Sequence, residues 1–344
     1  MAFTVAGGGL STYVPSTNDL ATGALQVEFT RTVNSFALSR YAQIVPTSKM
    51  TGYYLRQDVP DNVRVTDTKE FAWALGTDRP TGKQNSFDFV SYSTERYAYP
   101  FYIPQETANQ AAWDVVAQHA RSKAQLAMTA RTIRAASVLS TSGNWGGNYV
   151  ATPATSPISA GSWTGSTAGN GFIQKTIQSV MRQVSLSSGG AVAPNQLIMV
   201  ISPTVAQIVS QSGEVKEYVK NYPQALSFLM GNDTFSRWGI PPTLFGLGDV
   251  VVDDSVKVTS KKGASSLTSS YVYGNGAYFL SRPGGLVGVE GAASFSTMQI
   301  FAYEDMTVEQ FNDPMNRRLE GRVIDNSVAA VVAPVGGYAI GDVS

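Results

Sequence analysis

The chain carries one histidine and no cysteine in 344 residues. Thiolate metal sites, disulfides and cysteine nucleophiles are therefore absent, and a zinc centre or a histidine-based triad has too few ligands or partners to form. His119 lies at helical spacing with Ala112, Val115, Leu126 and Ala130, which predicts a core histidine with a local hydrogen bond, not a catalytic base. No G-x-S-x-G turn is present to expose a nucleophilic serine. "GTDRPTGKQ", from Gly76 to Gln84, approaches a phosphate-binding loop. Five residues separate its glycines where four are needed, and Gln84 stands where a hydroxyl would hold magnesium. It reads as a polar turn. Asp253 and Asp254 end an apolar strand; a solvated strand end is expected there, with a cation site as the alternative. The "NDT" at Asn232 is a glycosylation acceptor only in a secreted chain. No cofactor site, metal site or catalytic constellation emerges, and the expectation is a protein that is not an enzyme.

What remains is charge. The net charge is zero, yet residues 101–200 hold six Lys/Arg against two Asp/Glu, while residues 301–344 hold three against seven. Such asymmetry fits a basic and an acidic surface on one molecule, or copies that meet head to tail. The basic residues concentrate in a predicted helix from Pro104 to about Ser140, with proline at the first helical position. Arg121 falls on its polar stripe with Asp114, Gln118, Gln125 and Thr132. Trp113, Val116, Ala117, Ala120, Ala124 and Ala127 form one flank of its apolar side. Lys123, Arg131 and Arg134 interrupt that apolar side, either as a solvated helix end or as a surface toward another charged molecule.

The elements around the helix divide the chain. Residues 1–52 read as an extended arm. From Tyr53 to Ile103 the pattern predicts a long hairpin: "VRVTDTKEFAWALG" on one strand, a turn in "GTDRPTGKQNS", and an aromatic row of Phe87, Phe89, Tyr97, Tyr99, Phe101 and Ile103 on the other. An isolated two-stranded hairpin is marginal in water, so this one needs a partner surface. After a Gly/Ser/Thr/Pro-rich loop (residues 140–171) a helix is expected at Phe172–Ser187. Then come the strand "LIMVIS", a helix opened by Ser202-Pro203, another around Val215–Asn221, and strands in "DVVVDD", "SSYVYGNGAYFLS" and "LVGVEG". "YGNGAY" resembles a tight hairpin turn. Strands in "SFSTMQIFAYEDM" and "RRLEGRVIDNSVAAVVAP" close the chain. The class is α+β.

Hydrophobic residues at 43% are ordinary, but charged residues at 15% fall below the roughly 25% usual in globular proteins. Copies of the same chain covering one another's surfaces would account for the deficit; secretion is the other reading. The N-terminus lacks the pattern of a signal peptide, and "VAAVVAPVGGYAI" is too short to span a bilayer. No membrane partner is expected.

The order of arm, long hairpin, "ERYAYPFYIPQETA" leading into an alanine-rich helix, central α/β region and closing strand "NRRLEGRVIDNSVAAVVAP" resembles the major capsid proteins of tailed bacteriophages, the Hong Kong 97-type fold. The resemblance covers nearly the whole chain and rests on order and spacing. It implies an N-terminal arm (1–52), an E-loop hairpin (53–103), a P-domain with its spine helix (104–194), an A-domain (195–291) and a return to the P-domain with the C-terminal end (292–344). It implies that the E-loop lies on a neighbouring subunit, through Phe71, Trp73, Leu75, Arg79, Lys83, Phe87 and Phe89. It also implies pentamers and hexamers in an icosahedral shell around double-stranded DNA, together with a portal, a separate scaffolding protein and decoration proteins. The location would be the virion, with assembly in the host cytoplasm. Of the two basic groups, Arg121 or Lys123/Arg131/Arg134, one would face DNA phosphates and the other would meet carboxylates of residues 301–344 across subunits. Some members link an E-loop lysine to an asparagine. Lys69, Lys83 and Asn326 are present here, but no acidic partner is identifiable and no linkage is assigned. The competing readings are a cellular nanocompartment shell of the same fold, a secreted carbohydrate-binding or surface-layer protein, and a hydrolase using an Asp pair.

Overall fold

The computed structural model describes residues 36–57, 73–76, 87–110, 114–220, 238–261, 263–281 and 296–344. A short helix α1 (Leu38–Tyr41) leads into β1 (Gln43–Pro46), followed by β2 (Thr51–Gln57), β3 (Phe87–Ser93) and β4 (Glu95–Pro104). Helices α2 (Gln105–Gln110) and α3 (Val115–Ser140) come next, then β5 (Tyr149–Val150) and α4 (Phe172–Ser187). The central region runs β6 (Leu197–Ile201), α5 (Pro203–Gln211), α6 (Gly213–Lys220), β7 (Asp249–Val252), β8 (Val256–Val258), β9 (Ser269–Tyr271) and β10 (Ala277–Ser281). Two long strands, β11 (Met298–Asp313) and β12 (Arg318–Val331), and the short β13 (Tyr338–Ile340) finish the chain.

Two sheets organise these elements. One has five strands in the order β5-β13-β10-β6-β7, the other four in the order β1-β11-β12-β4. The five-stranded sheet is covered on both faces, which is why "LIMVI" of β6 is apolar at every position and buried throughout. Leu197, Met199 and Ile201 point into a core with Ile173, Ile177 and Val180 of α4 and Val205 and Val209 of α5. Ile198 and Val200 point into the opposite core with Met128, Ala135 and Leu139 of α3 and Met298 and Ile300 of β11. One sheet thus joins the two halves of the molecule.

Local chemistry sets the helix ends. Ser202 caps α5, its Oγ accepting from the Val205 amide at 3.3 Å ahead of Pro203 at the first position. α4 has no cap of its own. The buried Glu214 of α6 supplies one, accepting from the amides of Ile173 and Gln174 at 3.1 Å each, where the helix dipole favours a negative charge.

Several expectations need correction. Pro104 ends β4, and the helix expected from it begins at the next residue, Gln105. The predicted single helix is two, α2 and α3, and Asp114 caps α3 by accepting from the Ala117 amide at 2.9 Å. Thr132 is buried and donates to Met128 O, so it does not belong to an exposed polar stripe. The strand beside Phe87–Ser93 is Thr51–Gln57; of "VRVTDTKEFAWALG", residues 63–72 lie outside the described residues. The aromatic row does not run along one hairpin arm, because the chain leaves the hairpin at Thr94 and β4 joins the four-stranded sheet beside β12. "YGNGAY" turns the chain, but the strands flanking it do not pair: β9 pairs with β8, and β10 with β6 and β13. "LVGVEG", and the turn "GTDRPTGKQNS" beyond Gly76, lie outside the described residues. The two closing strands form as expected, as β11 and β12.

Candidate assembly surfaces

The β2–β3 hairpin base has two unlike faces. Its register sets Tyr54 against Val90 and Gly52 against Tyr92 on one side, and Tyr53 against Ser91 and Leu55 against Phe89 on the other. The first side is seated on the chain's own four-stranded sheet. Phe301 of β11 stacks with Tyr92 at 4.6 Å between centroids and with Tyr54 at 5.4 Å. Gly52 makes room there: a Cβ would stand 2.8 Å from the Tyr92 hydroxyl, which crosses it, so a larger residue would push that ring aside. The second side has no cover among the described residues. Tyr53 is 73% exposed, Leu55 59% and Phe89 72%. Three large apolar side chains on one small face mark an interaction surface.

The sheet face under the hairpin continues beyond it. Arg96 of β4 and Glu304 of β11 flank Asn326 of β12 in register, and Arg96 Nε lies 3.2 Å from Glu304 Oε2 across that strand. Asn326 beneath this pair is buried, and neither atom of its amide has a partner. Farther out, Glu320 of β12 lies between Tyr102 and Phe311, two exposed aromatics. Arg318 lies over Tyr102 at 5.6 Å and Arg322 over Phe311 at 5.9 Å. The charges here are compensated within the chain: Arg322 meets Glu309 at 2.6 Å, and Arg318 meets Glu320 at 2.5 Å and Asp313 at 3.4 Å.

The basic residues of the long helix separate. Arg131 is 2% exposed, and its Nη2 donates to Asp325 Oδ1 at 2.5 Å and lies 2.8 Å from Asp305. Burial works against its charge, but the hydrogen bond and charge of Asp325, helped by Asp305, outweigh that and hold the guanidinium more firmly protonated than usual. Arg134 also donates to Asp325, and its guanidinium lies 4.0 Å from the Tyr97 ring centroid. Asp325 is fully buried and takes a further hydrogen bond from Ser327 Oγ at 2.8 Å. Carboxylates of residues 301–344 thus meet this basic group, where the sequence reading expected them to meet it across subunits. They do so inside one chain, which removes Arg131 as a DNA-facing or inter-subunit residue. Arg121 is exposed and Lys123 half-buried.

His119 is half-buried with its ring stacked on Phe101, 6.1 Å between centroids, so it lies at the edge of the core and not within it as expected. Burial, then the charge of Lys123, keeps its pKa below the ordinary histidine value. Asp253 is not a solvated strand end. It is fully buried, accepting from the Tyr41 hydroxyl and the Ser255 amide at 2.9 Å each, while the hydroxyls of Tyr41 and Tyr273 meet at 2.5 Å. Burial pushes both phenols well above their usual pKa, so they stay protonated donors. No sequence pattern linked these three residues, because Tyr41 lies 212 positions from Asp253 along the chain.

Of the hairpin residues singled out in the sequence, Phe89 lies on the open face, Trp73 and Leu75 are exposed, and Phe87 is in β3 opposite Gln57. Phe71, Arg79, Lys83 and Lys69 lie outside the described residues. Tyr53 and Leu55 share the open face with Phe89; sequence reasoning placed Tyr53 at the hairpin's edge and gave Leu55 no part. Among the described residues no group of three or more His, Cys, Asp and Glu is placed to hold a metal, and no helix is long and apolar enough to cross a membrane. A groove of about 310 Å³ is lined by Pro203, Thr204, Gln207, Ser210, Trp238 and Tyr271, none of them charged.

No protein-family model and no curated protein matches the chain in sequence. Solved structures match along nearly all of it. A phage-related protein from Bordetella bronchiseptica RB50 is similar with a TM-score of 0.61 and 16% identity, over 95% of this chain and 97% of that one. The capsid structure of the cyanophage P-SCSP1u gives 0.55 at 10% identity, over 97% and 96%. The mature capsid of bacteriophage PhiM1 gives 0.53 at 14%, over 92% and 89%. At such identities the likeness is one of fold. The fold is the α+β Hong Kong 97-type capsid fold.

Proposed function

We propose that this chain is the major capsid protein of a tailed bacteriophage, a structural subunit that assembles as pentamers and hexamers into an icosahedral shell around double-stranded DNA. One observation carries the reading: in a chain that matches a phage capsid fold over 92% of its length, one face of the β2–β3 hairpin is seated on its own sheet while the other leaves Tyr53, Leu55 and Phe89 uncovered among the described residues. A neighbouring subunit is the cover that this fold offers. The absence of a catalytic constellation among the described residues, together with the low overall charge, fits a protein whose work is contact. A portal, a separate scaffolding protein and decoration proteins belong to the same reading, as do a virion location and assembly in the host cytoplasm. Exposed Arg121, or else half-buried Lys123, would meet packaged DNA, through phosphates only and therefore in a salt-sensitive way.

Deleting Leu75–Phe87 tests this. The deletion is expected to leave a folded subunit, by circular dichroism and a cooperative melt, that no longer builds stable shells under conditions where the intact chain does. Particles as abundant and as stable as those of the intact chain would overturn the role given to the hairpin.

A further inference from the structure

The outer edge of β11 changes character halfway along. β1 pairs with it only from Gln299 to Ala302. Two register irregularities follow before Thr307, and Met306 takes φ +49 within the second of them. From Thr307 to Asp313 the strand pairs with β12 on one side, and among the described residues no strand pairs with the other. An open edge is a template for another strand, and natural sheets blunt theirs with charged side chains, proline or a bulge. The segment "TVEQFND" has no lysine or proline, its two carboxylates are each paired with an arginine of β12, and its ladder with β12 is regular throughout.

We propose that a second copy of this chain adds at this edge, antiparallel about a two-fold axis through Gln310; the inference rests on the shell reading above. An antiparallel pair has its two-fold axis normal to the sheet, so both copies keep the hairpin-bearing face on the same side. A shell with one outer surface requires that. Such an axis places one residue opposite itself. Centred on Glu309, two carboxylates would oppose each other; centred on Phe311, Glu309 would oppose Asp313 twice. Centring on Val308 or Asn312 cuts the regular ladder short. Centred on Gln310, Glu309 faces Phe311 and Asp313 faces Thr307, with no like charges opposed. Glu309 already holds Arg322 at 2.6 Å, so the partner's Phe311 meets a compensated pair.

The test uses the absence of native cysteine. Directly opposed residues have Cα atoms about 4.5–5.5 Å apart, within the range of about 4.4–6.8 Å that a disulfide spans. Assembled particles of Gln310→Cys are expected to give mostly covalent dimers on mild oxidation, seen on a non-reducing gel. Met315→Cys, an exposed position beyond the ladder, is expected to give few. Gln310→Lys sets two ammonium groups against each other, and is expected to lose assembly at low salt and regain it at high salt. If particles form normally but Gln310→Cys cross-links no better than Met315→Cys, or Gln310→Lys assembles normally at low salt, the edge pairing is overturned and the shell reading stands. If the unmodified chain forms no particles under any condition, both fall.

Discussion

Asp325 shows how much one residue can carry here. It is fully buried and takes hydrogen bonds from Arg131, Arg134 and Ser327, and Arg131 is itself almost wholly out of water. Removing one partner of a buried pair leaves the other's charge uncompensated, at a cost of about 3–5 kcal/mol. Asp325→Ala is therefore expected to lower the stability of the unassembled subunit by about that amount, read as a shift in its urea midpoint. Asp88→Ala, which breaks an exposed pair with Arg56, should cost no more than about 1 kcal/mol. Equal effects of the two substitutions would contradict the account of the buried cluster. The sequence made this cluster half legible. Two arginines interrupting an apolar helix face against an acidic C-terminal segment announced a pairing. The sequence reading set that pairing between chains; it lies within one because β12 packs against α3, which no local pattern encodes. Asp253 was illegible for the same reason, since its donor Tyr41 sits 212 positions away.

At the scale of elements, what sequence periodicity and capping could express was legible. β6 is an apolar run covered on both faces, α5 begins at a Ser-Pro cap, and α4 spans the expected residues. The hairpin was legible as a need for a surface but not as a pairing. "TGYYLRQ" lacks the alternation of a strand with one buried face, and no glycine or proline marks the point near Thr94 where the chain passes from the hairpin into the large sheet. The seat of the hairpin is Phe301, a buried ring held between Tyr54 and Tyr92. Truncating a buried phenylalanine costs about 3–5 kcal/mol. Phe301→Ala is expected to strip hydrogen-exchange protection from 51–57 and 87–93 first, while β6 and β10 retain theirs. Loss of protection spread evenly over both sheets would mean that Phe301 is an ordinary core residue and not the hairpin's anchor.

For the whole molecule, the feature to be explained is a chain low in charge that exposes large apolar side chains among its described residues. Tyr53, Leu55 and Phe89 on the hairpin and Tyr102 and Phe311 on the sheet lie on the hairpin-bearing side, away from the helices. A lone molecule in water is not stabilised by such a side; an assembly that covers it is, and specific interfaces need upward of about 1,000 Å² each. The most direct measurement is electron microscopy, alongside size-exclusion chromatography, of the purified full chain over a range of salt and protein concentrations. The account predicts capsomers and closed or partly closed shells built from them. A single monomeric species at every concentration, with no curved assemblies on the grid, would contradict it.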